Sequence, residues 1–340
     1  MEKMILNKTP VRTSVCFGIN DISLDLDVPL IKEFENVTIV VDEPIDINVK
    51  KEEKNMSSKI DLNLRTNYQI EINIEEYKNV KKPILINVDF DDDNLALVDN
   101  IKINMAKNSS ASFIIKYSSN EKAFHYLKQE TFLEANSDAS ISIVNLVDNN
   151  SNSFIAVENT VDENATLKHV IVDFGGEKKV SNYYTKLIGY NSKNILNNIY
   201  LGTNKDVLDI NYNIDVFGKN AKASIESQGA LFCEAVKNFK GTINFMEGCK
   251  KASGSENENC VLLSDKAKSK SLPMLLCHEE DVEGNHSVSS GKIDEKKLFY
   301  IMTKGISKKD AEKLIIIANF NKIIDSIPDE ELRNEIMKKI

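Results

Sequence analysis

From about residue 15 to 275 the chain alternates apolar and polar residues in short runs. "ISLDLDV" (22–28), "VTIVVDE" (37–43), "IDLNLRT" (60–66), "YQIEINIEE" (68–76) and "ILINVDF" (84–90) place apolar side chains at every second position. That is the period of a half-buried strand. The pattern continues through "ASFIIKYSS", "ASISIVNLV", "SFIAVENTV", "ATLKHVIVDF", "NILNNIYLG" and "LDINYNIDVFG", with Asn, Asp, Ser and Gly between the runs.

Several runs share one form: a polar turn, a small residue, then a strand. "KNSSASFIIKY" (107–117), "ANSDASISIVNL" (135–146), "DENATLKHVIV" (162–172) and "GKNAKASIESQGAL" (218–231) begin roughly 26 to 30 residues apart, with a second, weaker strand between them. A quasi-repeat of this length is what a β-solenoid produces, because each coil lays its strand beside the same strand of the coil before. A sandwich also gives many short strands. It does not call for the small-residue turn at near-constant spacing, so the pattern favours the solenoid.

The period changes near residue 292. "DEKKLFYIMTKGI" opens on Asp294, a plausible N-cap, with Glu295 in the first turn. Leu298, Phe299 and Met302 then fall at helical spacing, and Gly305 stands where a C′ glycine stops a helix. Ser307, with Asp310 three residues on, opens a second helix. Its apolar face is predicted as Leu314, Ile317, Ala318 and Ile324, widened by Ile315, Ile316, Ile323 and Ile327. A last helix is expected with Pro328 at N1. The predicted architecture is mainly β: an N-terminal β segment (1–80), a solenoid core (81–291) and a small helical domain (292–340).

Composition narrows the function. The 340 residues are 41% hydrophobic, enough for a sizeable core. Net charge is −9, and Arg occurs only at 12, 65 and 333, so 40 of the 43 basic residues are Lys. Bidentate phosphate and base recognition favours Arg, so a nucleic-acid partner is not expected. No stretch reaches the roughly 20 apolar residues that span a bilayer. "MEKMILNKTPVRTSV" lacks the apolar core of a signal peptide, and a cytoplasmic location is expected.

Five cysteines (16, 233, 249, 260 and 277) include no CxxC pair, and each reads as a small buried hydrophobe. No nucleotide-loop, zinc-protease or nucleophile-elbow motif is present. The acidic runs Asp91–Asp93 and Glu279–Asp281 read as solvated loop tips, and His125 and His169 as residues of strands. Residues 229–300 are denser, with four of the five cysteines and the histidines 278 and 286. Thiolate and imidazole suit soft and borderline metals, iron–sulfur units included, but the spacing is irregular.

This region resembles the SufB/SufD family of iron–sulfur cluster assembly. The ordered matches are Gly229-Ala230, Ala235, Phe239, Gly241, Asn257 and Asn259 in what reads as an Asn-rich turn, and Leu262-Leu263-Ser264-Asp265. They continue through Pro273 leading a strand, Asp281-Val282, His286 in a turn, Gly291, Ile293-Asp294, Leu298-Phe299-Tyr300 and Gly305-Ile306-Ser307. The resemblance is strong over 229–327 and weak over about 80–228. It implies a right-handed parallel β-helix with a C-terminal helical domain, acting as a scaffold and not as an enzyme. The implied partners are a SufB-like paralogue, paired through the β-helix, and the SufC ATPase, gripping the helical domain around Leu298, Phe299, Tyr300, Gly305 and Ile306. The implied cargo is transient iron or an iron–sulfur cluster, with no stably bound cofactor.

The family's pairing-site histidine corresponds to His286. Ala267 stands where a SufB-type cysteine ligand would be, and Ser287 replaces the Glu that follows the SufB histidine. Both departures point to a SufD-like member. Gly284 replaces a cysteine often found before the SufD histidine, which leaves Cys260 or Cys277 as candidate thiols from an adjacent coil. Two other readings stay open: a SufB-like scaffold pairing with itself and SufC, and a carbohydrate-active β-helix enzyme. The second would need clustered carboxylates and aromatic platforms, whereas Trp is absent and aromatics are 7%.

Overall fold

The alternation along the chain becomes two long parallel sheets. The computed structural model describes residues 2–13, 15–51 and 54–340. The first sheet stacks Tyr68–Ile74, Ala96–Met105, Phe124–Leu133, Asn152–Val161, Lys178–Leu187, Val207–Val216, Val236–Phe245 and Lys268–Cys277. The second stacks Ile84–Phe90, Ser110–Ser119, Asp138–Leu146, Thr166–Phe174, Lys193–Gly202, Lys222–Leu231, Ala252–Leu262 and Val282–Lys292. The chain visits the sheets in turn, so each pair of strands is one coil of a β-solenoid. Ser110, Asp138, Thr166, Lys193, Lys222 and Ser253 lie in register, which sets the coil at 27 to 31 residues.

The repeated polar turn leads from the first sheet to the second. Asn108, Asn136, Asn164, Asn191 and Asn220 occupy it with φ of 54 to 59°, a left-handed conformation that Asn tolerates better than other non-glycine residues. The amides stack where the side chains meet. Asn136 donates to Asn108 at 3.1 Å, and Asn191 donates to Asn164 at 2.9 Å.

Alternation also sorts the side chains. One set fills the lumen between the sheets, including Ile86, Ile115, Ile143, Leu196 and Ile225. Removing each such side chain from water contributes about 1.5–3 kcal/mol. The other set faces outward and is covered in two places. The antiparallel hairpin Glu2–Leu6/Ile22–Leu26 lies on the first sheet, against Val98, Tyr126, Phe154 and Val180. Helices α2 (Lys308–Ile324) and α3 (Glu330–Lys339) fold back on the second, against Val144, Val170, Phe174 and Leu201.

The two ends of the stack differ. Val37–Val40 and Asp46–Lys50 pair antiparallel with the first strand of each sheet and cap that end. At the other end Lys268–Cys277 and Val282–Lys292 each have one neighbour only, so both present an open edge.

Several local expectations need correction. Helix α1 (Glu295–Met302) is capped by Asp294, as the sequence predicts, but it buries no residue. It ends at Thr303, so Gly305 (φ +83°) lies one residue beyond C′. Helix α2 is capped by Ser307, yet its buried face is Ala311, Ile316, Phe320, Ile323 and Ile324, while Leu314 is 46% exposed. The predicted stripe was rotated because six apolar residues crowd positions 314–320 and only packing on the sheet selects among them. Asp329 caps α3 through its carboxylate on the Leu332 N–H, which leaves Pro328 before the cap and not at N1. Asp can accept that bond and Pro cannot supply one.

The "Asn-rich turn" is the middle of the strand Ala252–Leu262, with Asn257 and Asn259 pointing outward beside Glu226 and Gln228. Its lumen-facing residues are polar, so no apolar alternation marked it. Pro273 sits inside its strand instead of leading it, at the open edge where a missing N–H is tolerated. His286 is likewise mid-strand and not in a turn. Cys249 and Cys260 are buried as expected, but Cys16, Cys233 and Cys277 are exposed, and all five thiols are free.

Candidate functional site

The densest chemistry lies in the last two coils, at the open end. The lumen-facing residues of Ala252–Leu262 are Gly254, Glu256, Glu258 and Cys260, and in register over them stand Gly284, His286, Val288 and Ser290 of the final strand. Below Glu256 the same row continues through Ile225, Leu196, His169 and Ile141. His286 is therefore the outermost member of a lumen row. No further coil covers it, so its side chain is exposed.

Glu258 anchors a buried polar cluster. It accepts from Tyr200 Oη at 2.6 Å, from Lys237 Nζ at 2.7 Å and from Ser271 Oγ at 3.0 Å, and Lys237 also donates to Ser271 at 2.9 Å. Lys237 and Glu258 are an ion pair taken fully out of water. Cys260 borders this cluster beside Tyr200 and Ser269. Burial pushes its thiol up, and Lys237 offsets that only in part.

Glu256 is different. It is fully buried, and no side chain among the described residues hydrogen-bonds its carboxyl, which only the Met274 backbone N–H faces. Burial raises its pKa to about 8, the Met274 backbone N–H offsets this only in part, and Glu258 adds to the rise. Across the lumen the chain has Gly241, where a Cβ would lie 1.8 Å from Glu256 Oε1.

The candidate thiols do not gather around His286. Cys260 pairs with Ser290, four register positions from His286, and Cys277 ends the facing strand near the 278–281 turn. His278 is exposed at that turn, where its backbone N–H donates to Phe245. Glu279 is engaged by the backbone N–H groups of Gly248, Glu280 and Asp281. Among the described residues no three His, Cys, Asp or Glu side chains are grouped to hold a metal ion. Ala267, at the position of interest in the 263–267 turn, is buried.

Beyond His286 the chain leads directly into α1. Phe299 and Tyr300 are 70% and 64% exposed. Leu298, Leu263, Ile293, Lys308 and Glu312 line a cleft of about 260 Å³ between the last turns and the helices. No helix is long and apolar enough to cross a membrane among the described residues.

A family model described as "SUF system FeS cluster assembly, SufBD core domain" matches residues 88–319, well over half of the chain. The chain belongs to the SufBD core family. Iron-sulfur cluster assembly protein SufD of Bacillus subtilis is 27% identical over 161 residues, 47% of this chain and 37% of the relative. The SufBD family protein PH1385 of Pyrococcus horikoshii is 25% identical over 266 residues, 74% of this chain and 57% of the relative. SufD of Escherichia coli is 29% identical over 102 residues, 30% and 24% of the two chains. The matched stretches thus cover between about a quarter and somewhat over half of these relatives. Membership in the SufBD family is membership in an assembly family, and it leaves the carbohydrate-active reading without support.

Sequence reading singled out His286 and the α1 aromatics only through the family resemblance. It missed Glu256, Glu258, Lys237 and Tyr200. The available signal was two acids at i and i+2 in "SENENC", which puts both on one face of a strand.

Proposed function

We propose that this SufBD-family chain is a SufD-like scaffold subunit, pairing with a SufB-like paralogue through the open end of its solenoid and docking a SufC-type ATPase on its helical domain. The observation that carries this reading is the unpaired parallel edge of Val282–Lys292, with His286 on its lumen row and α1 following directly. An exposed edge strand is a ready template for another chain. The buried Ala267 and the exposed Ser287 support the SufD-like assignment, since a chain without the thiol ligand needs a partner that brings one. Phe299 and Tyr300, unburied on an amphipathic helix, support the ATPase contact together with Leu298, Gly305 and Ile306.

In this reading, the partner's edge covers His286 in the paired complex, and nucleotide-driven closure of two ATPase subunits pulls α1 and shifts that junction toward an open state, exposing His286 to iron or sulfide. Cys260 and Cys277 serve in it only if that opening brings them closer to His286. The test is co-purification with candidate SufB and SufC proteins followed by anaerobic cluster reconstitution. The expected result is a stable complex whose cluster yield falls when His286→Ala is introduced. Undiminished assembly removes His286 from the reading. A complex that forms from two copies of this chain and SufC alone replaces it with the self-pairing scaffold.

A further inference from the structure

We propose that the loop joining the two strands of the N-terminal hairpin is an arm that grips the partner at the open end, with Val15 and Phe17 packing on the outward face of the partner's edge coil. The inference rests on the pairing read above for the open end and adds a second contact to it.

The arm is fastened at its root. Asn7 is fully buried, at φ +55°. Its amide donates to the Ser181 and Asp209 carbonyls, each at 3.1 Å, and to Asp209 Oδ1 at 2.7 Å, and it accepts from Asn182 at 2.8 Å. Its own carbonyl accepts from Lys240 Nζ at 2.9 Å. Beyond Asn7 the chain runs along the stack, over the outer face of the first sheet. Thr13 Oγ1 lies 3.8 Å from Met274 Sδ, and Lys270 Nζ donates to the Phe17 carbonyl at 2.8 Å. Both contacts are on Lys268–Cys277, the last strand of that sheet, whose far edge is bare. The arm therefore ends where a partner would begin.

What arrives there is apolar. Val15–Phe17 forms one 3₁₀ turn that buries none of its residues, with the Gly18 N–H on the Val15 carbonyl at 3.2 Å. Val15 and Phe17 are 67% and 64% exposed, whereas Leu6, Ile19, Ile22, Leu24 and Leu26 of the same segment are buried. The sheet changes character at the same place. On its outward face Lys240, Thr242 and Asn244 give way in register to Leu272, Met274 and Leu276 of the last strand. Met274 is buried, while Leu272 and Leu276 are only half-buried. An apolar surface thus adjoins an unpaired backbone edge. Those are the two features that strand addition uses: main-chain bonds along the edge and side-chain packing on the face. The occupant that fits is the SufB-like chain, laying its own edge strand on the open end with apolar side chains toward the arm.

The experiment is calorimetric titration of the natural chain and of the double variant Val15→Ser/Phe17→Ser with the SufB-like protein. The unfolding midpoint of the double variant is the control for folding and is expected to be unchanged, because both side chains are exposed. The expected result is pairing weakened at least about tenfold, as for the loss of an aromatic anchor at an interface. Cys16 supplies a second readout in the unaltered protein, since its thiol is exposed between the two residues. Its alkylation should slow by at least about tenfold in the complex, while the exposed Cys233 reacts as in the free chain. Natural affinity in the double variant, or unchanged alkylation of Cys16, overturns the inference and leaves the pairing reading standing. If the natural chain forms no complex with the SufB-like protein, the pairing reading falls and the arm's role with it. Protection of Cys16 only by a second copy of this chain overturns the assigned occupant.

Discussion

His169 lies deep in the lumen, with Nε2 2.9 Å from Gln129 Oε1 and Nδ1 3.1 Å from Tyr183 Oη. Burial lowers its pKa from 6.5 to about 3. The folded state therefore holds it neutral while the unfolded chain takes up a proton below about pH 6.5. Its contribution to stability is fully present above that pH and is lost as pH falls toward 3, by about 1.4 kcal/mol per pH unit. Urea unfolding between pH 4 and 7 should show this slope in the natural chain and a shallower one, by up to one proton, in His169→Gln. Lys237 makes the second residue-scale case. Lys237→Met leaves Glu258 buried without its cation and should cost about 3–5 kcal/mol. The double variant with Glu258→Gln should recover part of that loss, read from unfolding midpoints. None of these partners was legible in the sequence. His169 and Lys237 occupy strand positions where apolar neighbours on the same face promise a dry core, and only the pairing of coils brings Gln129 or Glu258 to them.

At the scale of the element, the turns carry more information than the strands. The sequence showed a polar turn followed by a small residue, and the structure gives the cause: a left-handed Asn recurs at five successive turns (108, 136, 164, 191 and 220), and Asn136–Asn108 and Asn191–Asn164 are hydrogen-bonded. Asn164 tests the two contributions separately. Asn164→Ala loses both the tolerance for positive φ and the amide ladder, and should destabilise by about 1–2 kcal/mol. Asn164→Gly keeps the conformation and should cost less, and the difference between their denaturation midpoints isolates the conformational part. The strand Ala252–Leu262 was hidden for the opposite reason. Its inward face is Gly254, Glu256, Glu258 and Cys260, so the hydrophobic period that reveals other strands is missing where the chemistry is concentrated. Helix caps were readable to the residue at Asp294 and Ser307 because capping is local. The buried face of α2 was not, because it is chosen by the outer face of strands far from it in the chain, at Val144, Val170, Phe174 and Leu201.

The whole molecule is nearly one-dimensional, since each coil touches mainly the coils beside it. Such stacks fray from their ends. Here one end is capped by antiparallel strands and the other is bare. Amide hydrogen exchange should accordingly be slowest in the central coils, from about 110 to 245, and fastest in 282–292. Protection of 282–292 should rise by at least tenfold when a partner pairs with that edge. Equal protection of the two ends would remove the asymmetry from the account. The solenoid was legible as a whole because a repeat of about 28 residues is a property of the entire chain. The asymmetry of its ends was not, because capping by Val37–Val40 and Asp46–Lys50 is a matter of strand direction, which periodicity does not encode.

The return of α2 and α3 to the middle of the stack has a mechanical consequence. Phe320 packs 6.0 Å from Phe174, and Lys116 pairs with Glu335 at 2.7 Å. The final coil is thus moored on both sides, by the coil before it and by helices fastened several coils away. It resembles a drawbridge and not a loose tail. In the proposed opening, the final coil would lift from Ala252–Leu262 while the chain stays anchored beyond it, and the same mooring would return it to its original register.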